Sequence, residues 1–84
     1  MLIKKYYTEI ETILTEKGLP SIVASHIIDK IIKGEDEEKN TFYLTGHFLR
    51  ELRKYGDKYK VDLVNTIQQF QLDKGFNIEI KKET

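Results

Sequence analysis

Apolar residues recur at three- and four-residue spacing through the first third of the chain. Between residues 3 and 14 they fall on one face of a helix, and charged or polar residues fall on the other. Gly18 suits the left-handed position that follows a helix, and Pro20 suits the first turn of the next one. The pattern therefore predicts two helices, over about residues 3–16 and 20–33.

The second predicted helix is the more apolar of the two. Its apolar side chains cover more than half of its circumference, so we expect it to be the most buried element and the centre of the core. These side chains are Ile22, Val23, Ala24, Ile27, Ile28, Ile31 and Ile32.

An acidic segment, GEDEEKN at residues 34–40, follows this helix and contains no apolar residue. Its carboxylates are those of Glu35, Asp36, Glu37 and Glu38. Such a run predicts a solvent-exposed loop. It lacks the spaced oxygen ligands and the glycine of a calcium-binding loop, so we assign no metal site to it.

The next segment predicts a short strand that leads into a helix. Residues 41–45, TFYLT, have strand propensity, and Thr45 followed by glycine is a good helix entry. The apolar residues at positions 48, 49, 52 and 55 then share one helical face, until Gly56 and Asp57 break the pattern.

The final segment predicts a helix and then a strand. Asp62 is a candidate N-cap for a helix that ends near Lys74. Residues 76–81 alternate apolar and polar side chains, which is typical of a half-buried strand, and residues 82–84 are expected to fray. The predicted fold is a single, mostly α domain over residues 1–84: a compact bundle of about four helices with one or two short strands.

Composition supports a small folded binding protein. Apolar residues make up 39% of the chain and charged residues 33%, a profile of a helical domain that folds. A core of this size is only marginally stable alone, so a homodimer would help. The lysines of MLIKKYYTEIETIL follow its first apolar residues, so we expect neither a signal peptide nor a membrane span, and we expect a cytoplasmic location.

Catalytic chemistry has few candidate side chains. The chain has no cysteine, which rules out disulfides and thiolate metal sites. His26 and His47 are separated from each other and are expected to be structural, with His26 in the buried second helix. We therefore expect a protein that is not an enzyme, with no catalytic, cofactor-binding or metal-binding residues.

Positive charge is concentrated in RELRKYGDKYK, residues 50–60. The segment carries Arg50, Arg53, Lys54, Lys58 and Lys60 in a chain of formal net charge zero. Two interpretations remain open. These side chains contact the phosphates of a nucleic acid, or they form an ordinary solvated corner between two helices.

Amide side chains are concentrated in the following helix, in the run NTIQQFQ. An amide presents a donor beside an acceptor, which matches the N6 and N7 edge of adenine. Asn65, Gln68 and Gln69 are therefore candidates for base contacts. An exposed or protein-contacting helix face is the alternative interpretation.

From residue 41 to residue 80, the order of elements resembles a winged helix-turn-helix. The segments are a short strand, a positioning helix (LTGHFLRELRKYG), a turn (DKYK), a recognition helix (VDLVNTIQQFQLDK) and a first wing strand (GFNIEI). The resemblance implies a protein that binds double-stranded DNA and regulates transcription. It includes no second wing strand, so residues 76–81 are expected to pair with residues 42–44 or with another chain.

Charge counts limit the strength of such DNA binding. Residues 1–40 hold six basic and eight acidic side chains, whereas residues 41–84 hold eight basic and six acidic ones. Sequence-independent affinity comes mainly from neutralised phosphates, so one copy would bind weakly. Two copies related by a two-fold axis would double the contacts.

A protein-interaction module is the second function class. An inhibitor or adaptor, of the kind that phages and mobile elements encode, would occlude a site on a larger protein. Aromatic side chains are the anchors that such interfaces favour, and the acidic segment offers charge. The candidate interface residues are Tyr6, Tyr7, Phe42, Tyr43, Glu35, Asp36, Glu37 and Glu38.

Overall fold

Two helices form the N-terminal part of the fold. The computed structural model describes residues 3–81. A 3-10 turn, Ile3–Tyr6, leads into α1, Tyr7–Glu16, and α2 spans Ser21–Lys33. Gly18 has a φ of 108°, and Pro20 adopts an extended conformation directly before α2. The predicted helix end and the predicted helix start are both confirmed.

The acidic segment forms a β-hairpin with the strand that follows it. β1, Glu35–Asp36, pairs antiparallel with β2, Thr41–Thr45, in a segment where the sequence predicts a loop. The hairpin is held close to the end of α2, because the Tyr43 N–H donates to the carbonyl oxygen of Gly34 at 2.7 Å. A Cβ on Gly34 would lie 2.2 Å from the Tyr43 oxygen, so this approach requires glycine.

Two helices and a third strand complete the chain. α3 spans Gly46–Tyr59, α4 spans Leu63–Lys74, and β3 spans Asn77–Lys81. Thr45 caps α3 as predicted, since its Oγ1 accepts from the Phe48 N–H at 3.0 Å. The prediction that the helix breaks at Gly56 is wrong, because α3 continues for three further residues.

The sheet joins distant parts of the chain. Its strand order is β1-β2-β3, and β3 runs parallel to β2 with Phe42 opposite Ile78 and Leu44 opposite Ile80. Of the two partners expected for the last strand, residues 42–44 or another chain, the structure shows pairing with residues 42–44. α3 and α4 together form the connection that a parallel pair of strands needs.

The core lies between the N-terminal helices, the α3–α4 pair and one face of the sheet. α2 contributes Ala24, Ile27 and Ile28 with no exposed surface, which agrees with its predicted central position. Ile22 is different, because its side chain is 81% exposed on the solvent side of the helix. The other buried apolar residues are Ile10, Leu14, Leu19, Ile31, Phe42, Leu44, Phe48, Leu52, Leu63, Ile67, Phe70 and Phe76.

The predicted fold class, a mostly helical domain with short strands, is confirmed. Within residues 3–81 there are four α-helices and one three-stranded sheet. No helix in this part of the chain is long and apolar enough to cross a membrane. The predicted frayed segment, residues 82–84, lies outside the described residues.

Candidate functional site

A three-residue turn connects α3 to α4. Lys60 adopts the left-handed conformation, with φ 59° and ψ 46°, and ends α3. The Val61 N–H donates to the Gly56 carbonyl at 2.9 Å. Asp62 then starts α4, because its Oδ1 accepts from the Asn65 N–H at 3.0 Å. Both ends of the turn are therefore fixed by hydrogen bonds.

The turn packs directly on Gly56. This glycine is buried within α3, and a Cβ at its position would lie 2.5 Å from the carbonyl oxygen of Val61. Any larger residue would force the turn away from the helix. Gly56 therefore sets how closely the start of α4 approaches the end of α3.

The basic side chains of residues 50–60 lie on the outer surface of this helix pair. All five are exposed: Arg50, Arg53, Lys54, Lys58 and Lys60. The first four belong to α3 and the fifth to the turn. Arg50, Arg53 and Lys54 thus lie on a helix, as predicted. The predicted turn at residues 57–60 is wrong for Lys58, which belongs to α3, and Lys60 lies in the turn.

Carboxylates lie beside these cations. A groove of about 460 Å³ between α3 and the start of α4 is lined by Arg53 and Lys60, and also by Asp57 and Asp62. Because opposite charges share the groove, the surface is less positive than its five basic residues alone suggest.

The predicted amide side chains are exposed on α4. Asn65 lies in the first turn of the helix, and Gln68 and Gln69 lie one turn further on. Gln71 differs, because its side chain donates to the Phe76 carbonyl and joins the end of α4 to the residue before β3. Three of the amides in this run are therefore accessible, and one has a structural role.

The aromatic residues that were predicted to form a protein-interaction interface are mostly packed in or against the core. Phe42 is 1% exposed, so its ring cannot reach a partner in this fold. The half-buried Tyr6 ring packs edge-on against Phe70 and Phe76, at centroid distances of 5.8 and 6.0 Å. Tyr7 and Tyr43 are half-buried as well.

The acidic side chains of the hairpin differ in exposure. Glu35 and Asp36 are half-buried in β1, whereas Glu37 and Glu38 are exposed in the turn. They line a concave surface of about 720 Å³ that is also lined by the basic residues Lys30, Lys33 and Lys81. This surface therefore carries both negative and positive side chains.

A hydrogen bond between α2 and α3 was not foreseen from the sequence. His26 Nε2 lies 2.9 Å from Glu51 Oε1, and the His26 ring is 6.3 Å from the Tyr55 ring. His26 lies in the second helix, as expected, but its side chain is on the outer side of that buried helix and is 45% exposed. The hydrogen bond from His26 lowers the pKa of Glu51 below its ordinary value, and partial burial opposes this effect.

The His26–Glu51 pair had no local sequence signal, since the two residues are 25 positions apart. Within residues 3–81, no three histidine, aspartate or glutamate side chains are arranged to hold a metal ion. Compared with known proteins, the chain matches no protein-family model, no curated protein and no solved structure at a significant level.

Proposed function

We propose that this protein is a cytoplasmic, non-catalytic regulator of transcription that binds double-stranded DNA through α3, the turn at residues 60–62 and α4. One observation carries the proposal. Two helices joined by a three-residue turn present cations on the first helix and amides on the second. Helix-turn-helix proteins use this arrangement, with the first helix across the phosphate backbone and the second in the major groove.

The phosphate contacts are assigned to α3 and to the turn. Arg53, Lys54 and Lys58 are exposed on the same helix as Arg50, and Lys60 extends the row into the turn. The N-terminus of α4 is a poorer phosphate site, because the Asp62 carboxylate already accepts from the Asn65 N–H there. Cations along α3 would fix the position of the protein on the duplex without reading its sequence.

The base contacts are assigned to α4. Recognition helices contact base edges mainly through residues near their N-terminus. Asn65 lies in that first turn, and Gln68 and Gln69 extend the amide face. Each amide can pair with adenine through two hydrogen bonds, so an A·T-containing site is the expected preference.

Salt-dependent binding tests the proposal directly. Fluorescence anisotropy of a labelled duplex would be recorded at about 50 mM and about 200 mM salt. Five neutralised phosphates give a slope of log affinity against log salt of about −4.5, which is a loss of roughly 500-fold over this range. The absence of binding at tens of micromolar protein in low salt would refute the proposal.

A charge-matched pair of variants locates the surface. Replacing Arg53, Lys54 and Lys58 by alanine should reduce the salt slope by about 2.7 and weaken binding to every sequence. Replacing Lys5, Lys17 and Lys33 by alanine removes the same charge from exposed positions outside the α3–α4 unit. Equal losses from the two triple variants would show that net charge, and not this surface, governs binding.

The acidic turn of the hairpin supports a second candidate function. Glu37 and Glu38 are exposed, and the turn is ordered by the Lys39 N–H, which donates to Asp36 Oδ1 at 3.3 Å. An inhibitor or adaptor would present this turn to a basic surface on a larger protein. Reversal of both glutamates to lysine should then abolish capture of that partner, and unchanged capture would exclude the turn as the contact.

A further inference from the structure

β3 is an edge strand whose outer side carries no partner. The sheet order places β2 on one side of it, and none of the residues 3–81 pairs with its other side. Its pairing with β2 is continuous over five residues, with neither a bulge nor a proline to interrupt it. Natural proteins use bulges and prolines, as well as charged side chains, to blunt an edge, because an unpaired edge is a template for another chain.

The backbone groups that face outward can be assigned. The Asn77 N–H donates to the carbonyl of Asn40 at 2.9 Å, so the backbone groups of Asn77 point toward β2. Because these groups alternate in direction along a strand, those of Glu79 and Lys81 also point toward β2. The N–H and C=O groups of Ile78 and Ile80 point to the open edge.

The side chains at this edge are divided between the two faces of the sheet. Ile80 is 55% exposed, and with the half-buried Ile78 it lies on the face that packs against α3 and α4. Glu79 and Lys81 are exposed on the opposite face. A strand added to the edge would therefore meet apolar side chains on one face and one charge of each sign on the other.

We propose that two copies of this chain associate by antiparallel pairing of their β3 strands, with the two-fold axis at Ile80. In this arrangement Ile80 faces Ile80 of the second copy, and the two residues exchange both backbone hydrogen bonds. Glu79 of each copy lies opposite Lys81 of the other. The partner is a second copy because the strand is complementary in charge to itself.

Charge also favours this pairing register over the adjacent registers. Moving the axis to Glu79 would place two glutamates directly opposite each other, and like charges in that position are destabilising. In the proposed register, Glu79 and Lys81 form non-hydrogen-bonded pairs, which bring side chains closest together. A slip by one residue would place Ile80 opposite a residue of the polar face.

The test of this dimer does not depend on the proposed DNA binding, because it is made without nucleic acid. The two surfaces do adjoin, since Arg53 and Gln68 line the same groove as Ile78 and Ile80. A pair of short strands buries little surface, so we expect a dissociation constant in the micromolar range. Sedimentation equilibrium of the full chain, up to about 500 µM, should show a monomer–dimer equilibrium. A protein that stays monomeric over this range would overturn the proposal.

Charge exchange tests the register. Glu79→Lys and Lys81→Glu should each weaken the homodimer by about tenfold, since each variant places like charges in both cross-strand pairs. An equimolar mixture of the two variants should recover dimerisation as a heterodimer, and the double variant should recover it as a homodimer. If neither recovers, or if Lys81→Glu has no effect, this interface is wrong.

A matched pair of isoleucine variants tests whether the dimer interface lies at β3. Ile80→Lys should abolish the dimer, whereas Ile22→Lys removes an equally apolar and more exposed side chain from α2 and should leave it intact. Circular dichroism of each variant would confirm that the monomer is folded. Loss of the dimer in both variants, or in neither, would contradict pairing through β3.

Discussion

Gly56 and the carbonyl of Val61 are in such close contact that glycine alone fits between α3 and the turn that follows it. A methyl group at Gly56 would lie 2.5 Å from the Val61 oxygen. We therefore expect Gly56→Ala to destabilise the protein by about 2 kcal/mol, although alanine is the better helix former. Urea unfolding would measure the change.

Gly46→Ala is the control for that variant. Gly46 is also in α3, but the nearest atom to a Cβ there is a guanidinium nitrogen of Arg50 at 3.7 Å, an ordinary contact distance. We therefore expect Gly46→Ala to change the free energy of unfolding of the protein by less than about 0.5 kcal/mol. Equal losses from the two substitutions would show that the contact with Val61 is not the cause.

Lys60 adopts a conformation that favours glycine. Its φ of 59° crowds the Cβ against the following carbonyl, at a cost of about 1 kcal/mol. Lys60→Gly should therefore raise the free energy of unfolding by up to about that amount, as glycine does at helix ends. Lys60→Ala keeps the strain and removes the same charge, so a stabilisation shared by both variants would point to charge instead.

The His26–Glu51 hydrogen bond predicts a pH-dependent contribution to stability. The pKa of Glu51 is lowered in the folded state, so its contribution is complete above the ordinary value of 4.5 and is lost as the pH falls through the folded pKa. Because the pair is partly exposed, we expect at most about 1 kcal/mol at pH 7. The difference between the native protein and Glu51→Gln should then shrink as the pH falls below 4.5 and disappear once the folded-state carboxyl is protonated.

Removing the donor provides the complementary measurement. In His26→Ala, the pKa of the Glu51 carboxyl should rise toward its ordinary value, as followed by carbon NMR of the side chain. An unchanged titration would mean that another charged neighbour, such as Lys30, sets the pKa of Glu51.

Phe76 joins the last strand to the aromatic part of the core. Its ring centroid lies 4.7 Å from that of Phe42 and 6.2 Å from that of Phe70, and the residue is 3% exposed. Phe76→Leu should lower the free energy of unfolding by about 1–2 kcal/mol, because leucine loses the ring contacts but keeps an apolar side chain. Urea unfolding would measure this change. Leu72→Ala, at a residue that is 66% exposed, should change stability by less than about 0.5 kcal/mol.

Local signals predicted most of the helical structure. Gly18 and Pro20 mark the first helix boundary, and the caps at Thr45 and Asp62 mark the starts of α3 and α4, because each acts through its own backbone or its near neighbours. Gly56 misled the prediction, since the pattern alone cannot distinguish a glycine that ends a helix from one that a close contact requires. The strand Glu35–Asp36 was not predicted, because it contains no apolar residue.

The candidate site also has features that local patterns predict and features that they do not. Exposure of the α3 cations and the α4 amides follows from helical periodicity, so both sets were placed correctly on the surface. The burial of Phe42 and the partial burial of Tyr6 depend on how the sheet and helices assemble, and so does the hydrogen bond between His26 and Glu51. Strand and helix patterns contain no information about such distant partners.

The parallel pairing of β2 with β3 has a consequence for the order of folding. Thr41 pairs with Asn77, so the ladder closes a loop that contains the whole α3–α4 pair. Helices form within about a microsecond, whereas non-local strand pairing must first overcome the entropy of loop closure. We therefore expect the helix pair to form first and the β2–β3 ladder to form late, so that folding ends as β3 joins the sheet.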